Sequence, residues 1–283
     1  MTALRQKMID EMQLRNFAER TQEAYLFAVK RLALYYRRSP EKINEKEVHD
    51  YLRYEMIERK LSVSSINQKI NGLIFFYREV LKRPRVNFLM PPRRGEQKLP
   101  EVLSLEEVER LFNATRSPKY RAIFKTAYAG GLRLGEVLQL RVTDIDSSRM
   151  MIRVEQGKGN KDRYVKLSTN LLQELREYWK RDRPKRWLFE GRMPDESLGE
   201  TSVQKAYKKA KAEAGIKKEG GIHTLRHCYA THLLEAGETD LRTIQVMMGH
   251  GSIVTTSRYL RIANQKLSGT PSPYDLIKRR KRR

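Results

Sequence analysis

The chain has 283 residues, enough for two modest domains of the common size of about 100–200 residues, and its 58 Lys and Arg against 34 Asp and Glu give a net charge of +24. That charge points to a polyanionic partner, nucleic acid ahead of an anionic membrane surface: the N-terminus "MTALRQKMIDEMQLRNF" lacks the apolar core of a signal peptide, and no stretch approaches the roughly 18 uninterrupted apolar residues of a membrane span. A soluble, cytoplasmic protein is expected, and the single cysteine, Cys228, excludes an intrachain disulfide framework and a cysteine-based zinc site.

The first eighty residues carry four stretches with helical spacing and no strand pattern, which predicts a small helical bundle. Thr21 precedes "QEAYLFAVKRLALYY", where Leu26, Val29, Ala33 and Tyr36 recur at intervals of three and four; Asn44 with Glu47 and Ser65 with Gln68 read as capping boxes for the next two helices. The basic residues Arg31, Arg37, Arg38, Lys60, Lys69, Arg78, Lys82 and Arg83 form either a phosphate-binding face or a solvated one. The proline-rich, basic text "KRPRVNFLMPPRRGEQKLP" then forbids regular helix, so residues 1–88 read as one domain, 89–100 as a linker and 101–283 as a second domain ending in a basic tail. Such a connector suits a clamp closing around a duplex, and equally a plain domain joint.

The second domain opens with Ser104 and Glu107 as a further capping box, followed by a helix from about Pro118 that breaks at Gly130 and Gly131. In "LRLGEVLQL", Leu134, Val137, Leu138 and Leu140 supply an apolar stripe, while Arg133 and Glu136 stand three apart and share a face. "MMIRVEQ" and "DRYVKLS" around "GKGNK" predict a hairpin whose turn carries Lys158 and Lys161. Two basic helices are expected from about 169 to 181 and 202 to 214. His223 and Arg226 then stand three apart at the start of the apolar helix "LRHCYATHLLEAG", with Leu225, Tyr229 and Leu233 on its buried side; "TDLRTIQVMMGH" makes a short helix finishing at His250, and "SIVTTSRYL" presents Tyr259. His223 and His227 have a spacing that can hold zinc, but no carboxylate or cysteine completes such a site nearby, so no metal is expected.

Over nearly its whole length the chain resembles the tyrosine recombinase family, which includes the lambda-type integrases, the Xer recombinases and the integron integrases. The resemblance is carried in order by "AGGLRLGEVLQLRVTDID", "GKGNKDRYVKL", "HTLRHCYATHLL", "MMGH" and "TTSRYL", and by the nine residues separating His250 from Tyr259. "MMGH" stands where the family usually has "LLGH", an apolar swap of conserved volume, and "GETDLR" is one residue longer than the usual "GxDLR". The insertion that marks integron integrases is absent before the His-x-x-Arg box, which favours a general integrase or Xer-like member.

The resemblance implies a mainly α fold with a small β-sheet, that is, a helical SAM-like core-binding domain followed by a mixed α/β catalytic domain. It implies that Tyr259 attacks a DNA phosphodiester to leave a 3′-phosphotyrosine and a free 5′-hydroxyl. Arg133 and Arg226 would hold the non-bridging oxygens, Lys158 would protonate the departing oxygen, His223 would assist proton removal from Tyr259, and His250 would hydrogen-bond a phosphate oxygen. Glu136 is expected to hold or neutralise a neighbouring basic side chain, a plain helix-surface carboxylate being the alternative. No cofactor, metal or ATP is implied. The implied partners are double-stranded DNA and a homotetramer assembled in a synaptic complex on two DNA sites, with an accessory DNA-bending protein in some members; the tail "PSPYDLIKRRKRR" would pack on a neighbouring protomer, run along phosphates or fray. A type IB topoisomerase-like enzyme and a non-catalytic DNA-binding architectural protein remain the alternative readings, and Cys228 is expected to fill space beside the active-site helix.

Overall fold

The helical spacing of the opening residues becomes four helices in a computed structural model, which describes residues 2–88, 101–157, 161–193, 195–237 and 239–261. They are α1 (Ala3–Leu14), α2 (Glu19–Tyr36), α3 (Glu45–Ile57) and α4 (Val63–Phe75), the last continued by a wider turn over Phe76–Val80. Asn44 caps α3 with its side chain while the Glu47 carboxylate returns to the Asn44 N–H, as the spacing predicts. Two other helix starts differ. α2 begins at Glu19 behind Ala18, so Thr21 lies inside its first turn, and α4 is capped by Ser62, whose hydroxyl accepts from the Ser65 N–H. "SVSS" offers several hydroxyls in a row, and the apolar register of Ile66, Gly72 and Leu73 selects the earliest one.

Ala28, Val29 and Leu32 of α2 are buried with Met8, Met12, Val48, Leu52, Leu73, Phe76 and Val80, giving this unit its own core. Full burial of each such side chain contributes about 1.5–3 kcal/mol before entropy is counted. One charge is buried with it: the wholly buried Glu55 accepts from the Tyr51 hydroxyl at 2.9 Å and from Lys69 Nζ at 2.7 Å, with Arg59 Nη1 at 3.1 Å. Lys69 is therefore an internal counter-charge and does not belong to a phosphate-facing set. Arg38 pairs with Glu47 and Lys82 with Glu11, Arg78 and Arg83 donate to backbone carbonyls, and Arg37 and Lys60 stay exposed.

The chain divides into two units between Gln97 and Lys98, and the expected linker, residues 89–100, lies outside the described residues. The second unit runs α5 (Leu105–Ala114), α6 (Pro118–Ala129), α7 (Leu134–Leu138), strands β1 (Ile145–Asp146), β2 (Met151–Gly157) and β3 (Lys161–Lys166), α8 (Thr169–Asp182), α9 (Glu200–Glu213), α10 (His223–Ala236), α11 (Leu241–Met248) and α12 (Ile253–Ser257), closed by a 3₁₀ turn over Arg258–Arg261. The predicted hairpin is present, and a two-residue strand, too short to leave an alternating pattern, extends it to an antiparallel sheet in the order β1-β2-β3. Ile152 opposite Val165 and Val154 opposite Arg163 put Ile152, Val154, Val165 and Arg163 on one face. Three of these four are core residues, so the fourth, an arginine, is carried into the interior.

The core of this unit joins Leu111, Ile123, Phe124, Val137, Leu138, Leu188, Phe189, Tyr207 and Leu225, with Cys228 wholly buried in it. A second cluster, Tyr229, Ala230, Leu234, Ile244, Met248 and Tyr259, fixes the last helices against α10.

Candidate functional site

The site begins at the break between α6 and α7. Gly131 sits at φ +58°, and a Cβ there would lie 2.3 Å from the Tyr229 ring, so the position accepts only glycine. The turn aims the Gly131 carbonyl at α10, where it accepts from Arg226 Nη1 at 2.6 Å; the Met248 carbonyl at the end of α11 accepts from Nη2, also at 2.6 Å. Two carbonyls from opposite sides thus lock a guanidinium only 1% exposed, and three of its five N–H groups remain for another acceptor.

Arg133 caps α7: the Glu136 carboxylate takes the Arg133 backbone N–H at 2.8 Å and its Nη1 at 2.7 Å. The same carboxylate accepts a two-pronged bond from Arg163 on β3, at 3.0 and 2.8 Å, and lies 3.8 Å from Arg226 Nη1. Arg163 also donates from Nε to the Met247 carbonyl at 3.2 Å. Gly249, at φ +62°, lets it pass, since a Cβ there would lie 3.0 Å from Arg163 Cδ and Nε. Burial alone pushes the Glu136 carboxyl up, but the Arg163 fork and the Arg133 N–H outweigh it and hold the group down to about 2. Burial, reinforced by Arg133 and Arg163 and opposed by Glu136, brings Arg226 down to about 10, so it stays charged at neutral pH. Three guanidiniums around one carboxylate leave a positive excess suited to a small anion.

Tyr259, on the final turn, is 4% exposed, and its hydroxyl lies 2.9 Å from Nδ1 of His227. Burial raises the phenol, while Arg226, Arg133 and Arg258 pull the other way. His250 lies nearly parallel to the tyrosine ring, 6.5 Å between centroids, with its Nδ1 2.8 Å from the Thr256 hydroxyl. His223 meets His227 edge-on, 4.9 Å between centroids, at the exposed mouth of the cluster. Burial first, then neighbouring cations, lowers His223, takes His250 to about 4 and, with His223 adding to the effect, takes His227 to about 4. All three rings are neutral at physiological pH.

Arg133, Glu136, His223, Arg226, His250 and Tyr259, predicted from separate motifs, therefore meet in one place. Lys158 lies outside the described residues. Glu136 is far from a surface carboxylate, since its side chain is 8% exposed and it has two guanidinium partners in hydrogen-bond contact. Two members were not foreseen in their roles. Arg163 would have shown itself through strand alternation, and His227, set aside as half of an incomplete zinc pair, is the described hydrogen-bond partner of Tyr259. His232 is placed elsewhere, between the Tyr128 hydroxyl and the Leu103 carbonyl. Among the described residues no group of three or more His, Cys, Asp or Glu could hold a metal ion, and no helix is long and apolar enough to cross a membrane.

Comparison with known proteins gives two family models, one for the phage integrase family over residues 101–266 and one for its N-terminal SAM-like domain over residues 4–85. A Sinorhizobium fredii protein named for an integrase/recombinase is 44% identical over 99% of this chain and 91% of its own length. A tyrosine recombinase of Thermosipho africanus is 31% identical over 89% of this chain and 92% of its own. Among solved structures, the XerH site-specific recombinase bound to its difH substrate before cleavage superposes with a TM-score of 0.71 at 23% identity, over 92% of this chain and 82% of that one.

Proposed function

The chain belongs to the phage integrase family and is a site-specific recombinase of the tyrosine type; from that premise we propose that it cleaves and rejoins double-stranded DNA through a 3′-phosphotyrosyl intermediate formed on Tyr259, without metal or ATP. The observation that carries the reading is the convergence of a buried tyrosine hydroxyl with aligned, cationic guanidiniums from distant segments of the chain. A DNA backbone bound as an anion neutralises the positive charge that Arg133, Arg163 and Arg226 carry in excess of the single Glu136 carboxylate. In the transition state the charge on the non-bridging oxygens grows, and donors already fixed by Gly131, Met248 and Glu136 need no reorganisation to meet it.

Attack by Tyr259 Oη forms the P–O bond as the bond to the 5′-oxygen breaks, and that oxygen leaves with a proton for which Lys158 is the proposed donor. His223 assists removal of the phenolic proton and His250 contacts a phosphate oxygen. Glu136 keeps the arginines oriented, through Arg133 directly and through Arg163, which ties β3 to α11. Because the phosphotyrosyl ester retains the energy of the broken bond, a 5′-hydroxyl from a partner strand can reverse the attack. The Tn1549 transposon integrase, solved in complex with transposon right end DNA, supports DNA as partner, and the family resemblance supports a synaptic homotetramer on two sites, with an accessory bending protein as an optional addition.

The test is purified wild type and Tyr259→Phe with duplex DNA carrying sites recovered from covalent adducts in expressing cells. The variant should bind within a few-fold of wild type and form no adduct; adduct formation by the variant contradicts the proposal.

A further inference from the structure

We propose that His227, rather than the histidine of the His-x-x-Arg pair, is the direct proton acceptor for the Tyr259 hydroxyl: Nδ1 holds the phenol and receives its proton as Oη attacks phosphorus. This rests on Tyr259 being the nucleophile. The two atoms are 2.9 Å apart and the rings 5.7 Å between centroids, a distance and setting at which a proton passes along an existing hydrogen bond. No other hydrogen bond to the Tyr259 hydroxyl is described. His223 lies one turn back on α10 and touches the imidazole of His227, not the phenol.

The groups facing this pair come from every packed element: His223 and Arg226 on α10, Arg133 and Glu136 at the start of α7, His250 beyond α11, and Arg258 on the terminal turn. In the free protein burial first, then His223 and Arg226, opposes a positive charge on His227, and burial opposes a negative charge on Tyr259, so the proton stays on the phenol. An anionic phosphodiester beside Arg133 and Arg226 offsets the Arg226 part of the first opposition and raises the basicity of His227 when substrate arrives. The proton moves from Oη to Nδ1, the P–Oη bond forms, and the P–O5′ bond breaks as the 5′-oxygen takes the separate proton assigned above to Lys158. In the rejoining half of the reaction His227 returns the proton to Oη. Atoms and charge balance at each step, and no further reactant is needed.

The neutral imidazole has two tautomers, and only the one protonated on Nε2 leaves Nδ1 free to accept. With 5 histidines in the chain, ring-nitrogen NMR of ¹⁵N-histidine protein gives a short, assignable spectrum, His227→Asn marking the resonance. We expect His227 as the Nε2–H tautomer in the DNA-free protein, with its Nδ1 resonance displaced in Tyr259→Phe; an Nδ1–H tautomer, or no response to Tyr259→Phe, overturns the proposal. The second arm measures cleavage of DNA carrying the recovered site. Asn places an amide oxygen near the position of Nδ1 and keeps a hydrogen bond, but it cannot take the proton. His227→Asn should therefore fall by about a hundredfold and lose the acidic limb of the pH–rate profile, with DNA binding kept. Activity within about threefold of wild type and an unchanged profile would reduce His227 to a packing or positioning residue, and faster cleavage would make the contact a restraint on Tyr259; both overturn the proposal. Adducts persisting in Tyr259→Phe instead refute the nucleophile assignment, which separates the two failures.

Discussion

Replacing Glu136 with Gln removes one charge from the centre of the site while keeping its shape, and the structure sets the size of the effect. The carboxyl titrates at about 2 in place of its ordinary 4.5, which at ~1.36 kcal/mol for each tenfold change in proton affinity corresponds to about 3 kcal/mol of stabilisation at neutral pH. Breaking a buried ion pair by removing one partner independently costs about 3–5 kcal/mol. The side chain is 8% exposed, so solvent screening takes little away. We therefore expect Glu136→Gln to destabilise the second unit by about 3 kcal/mol. Urea unfolding followed by tryptophan fluorescence reads this unit alone, because the chain's 2 tryptophans, Trp179 and Trp187, both lie in it. The folded-state value lies below the unfolded one, so the stabilisation is fully present above about pH 4.5 and is lost as the pH falls toward 2. The gap between wild type and variant should shrink to about 2 kcal/mol at pH 3.5. Arg163→Met should couple to Glu136→Gln by more than about 1 kcal/mol in a double-mutant cycle. A loss below about 1 kcal/mol at pH 7, or a gap that does not narrow in acid, would refute the idea that this carboxylate is held ionised by the guanidiniums.

Three further outcomes follow from particular contacts. Arg226→Lys keeps the charge but cannot bridge the Gly131 and Met248 carbonyls as a planar fork, so cleavage should drop about a hundredfold with DNA affinity little changed; a loss under threefold in a suicide-substrate assay would speak against it. Gly131→Ala forces a side chain into the left-handed region and against Tyr229, which should destabilise by about 2 kcal/mol and lower the melting temperature of the second unit by about 5 °C, and an unchanged melting curve would be the contrary result. Lys69→Met strips Glu55 of one of its two cations, expected at the lower end of ~3–5 kcal/mol, with hydrogen exchange rising in α3 and α4 only; recovery in Lys69→Met/Glu55→Gln would trace the loss to the stranded carboxylate.

Much of the site was legible because its information is local. Arg133 and Glu136 share a single helical turn, His223 and Arg226 another, and Asn44–Glu47 and Ser104–Glu107 are caps whose partners lie three residues away. The family resemblance then joined these fragments across the chain. What it left out depends on contacts between distant segments. Arg163 reaches Glu136 only because the β2–β3 register turns it to the core face, and the partnership of His227 with Tyr259 depends on how the terminal turn packs on α10. Ser65 was misread as a cap for a related reason: when several hydroxyls are adjacent, burial of the helix face, not the hydroxyl, decides where the first turn begins.

The identity of the covalent attachment tests the central claim most directly. Adducts formed by wild-type protein on its own DNA site, digested with nuclease and protease and read by tandem mass spectrometry, should carry a nucleotide joined through its 3′-phosphate to Tyr259 in the peptide that contains it. A nucleotide on any other residue, or joined through a 5′-phosphate, would contradict the account.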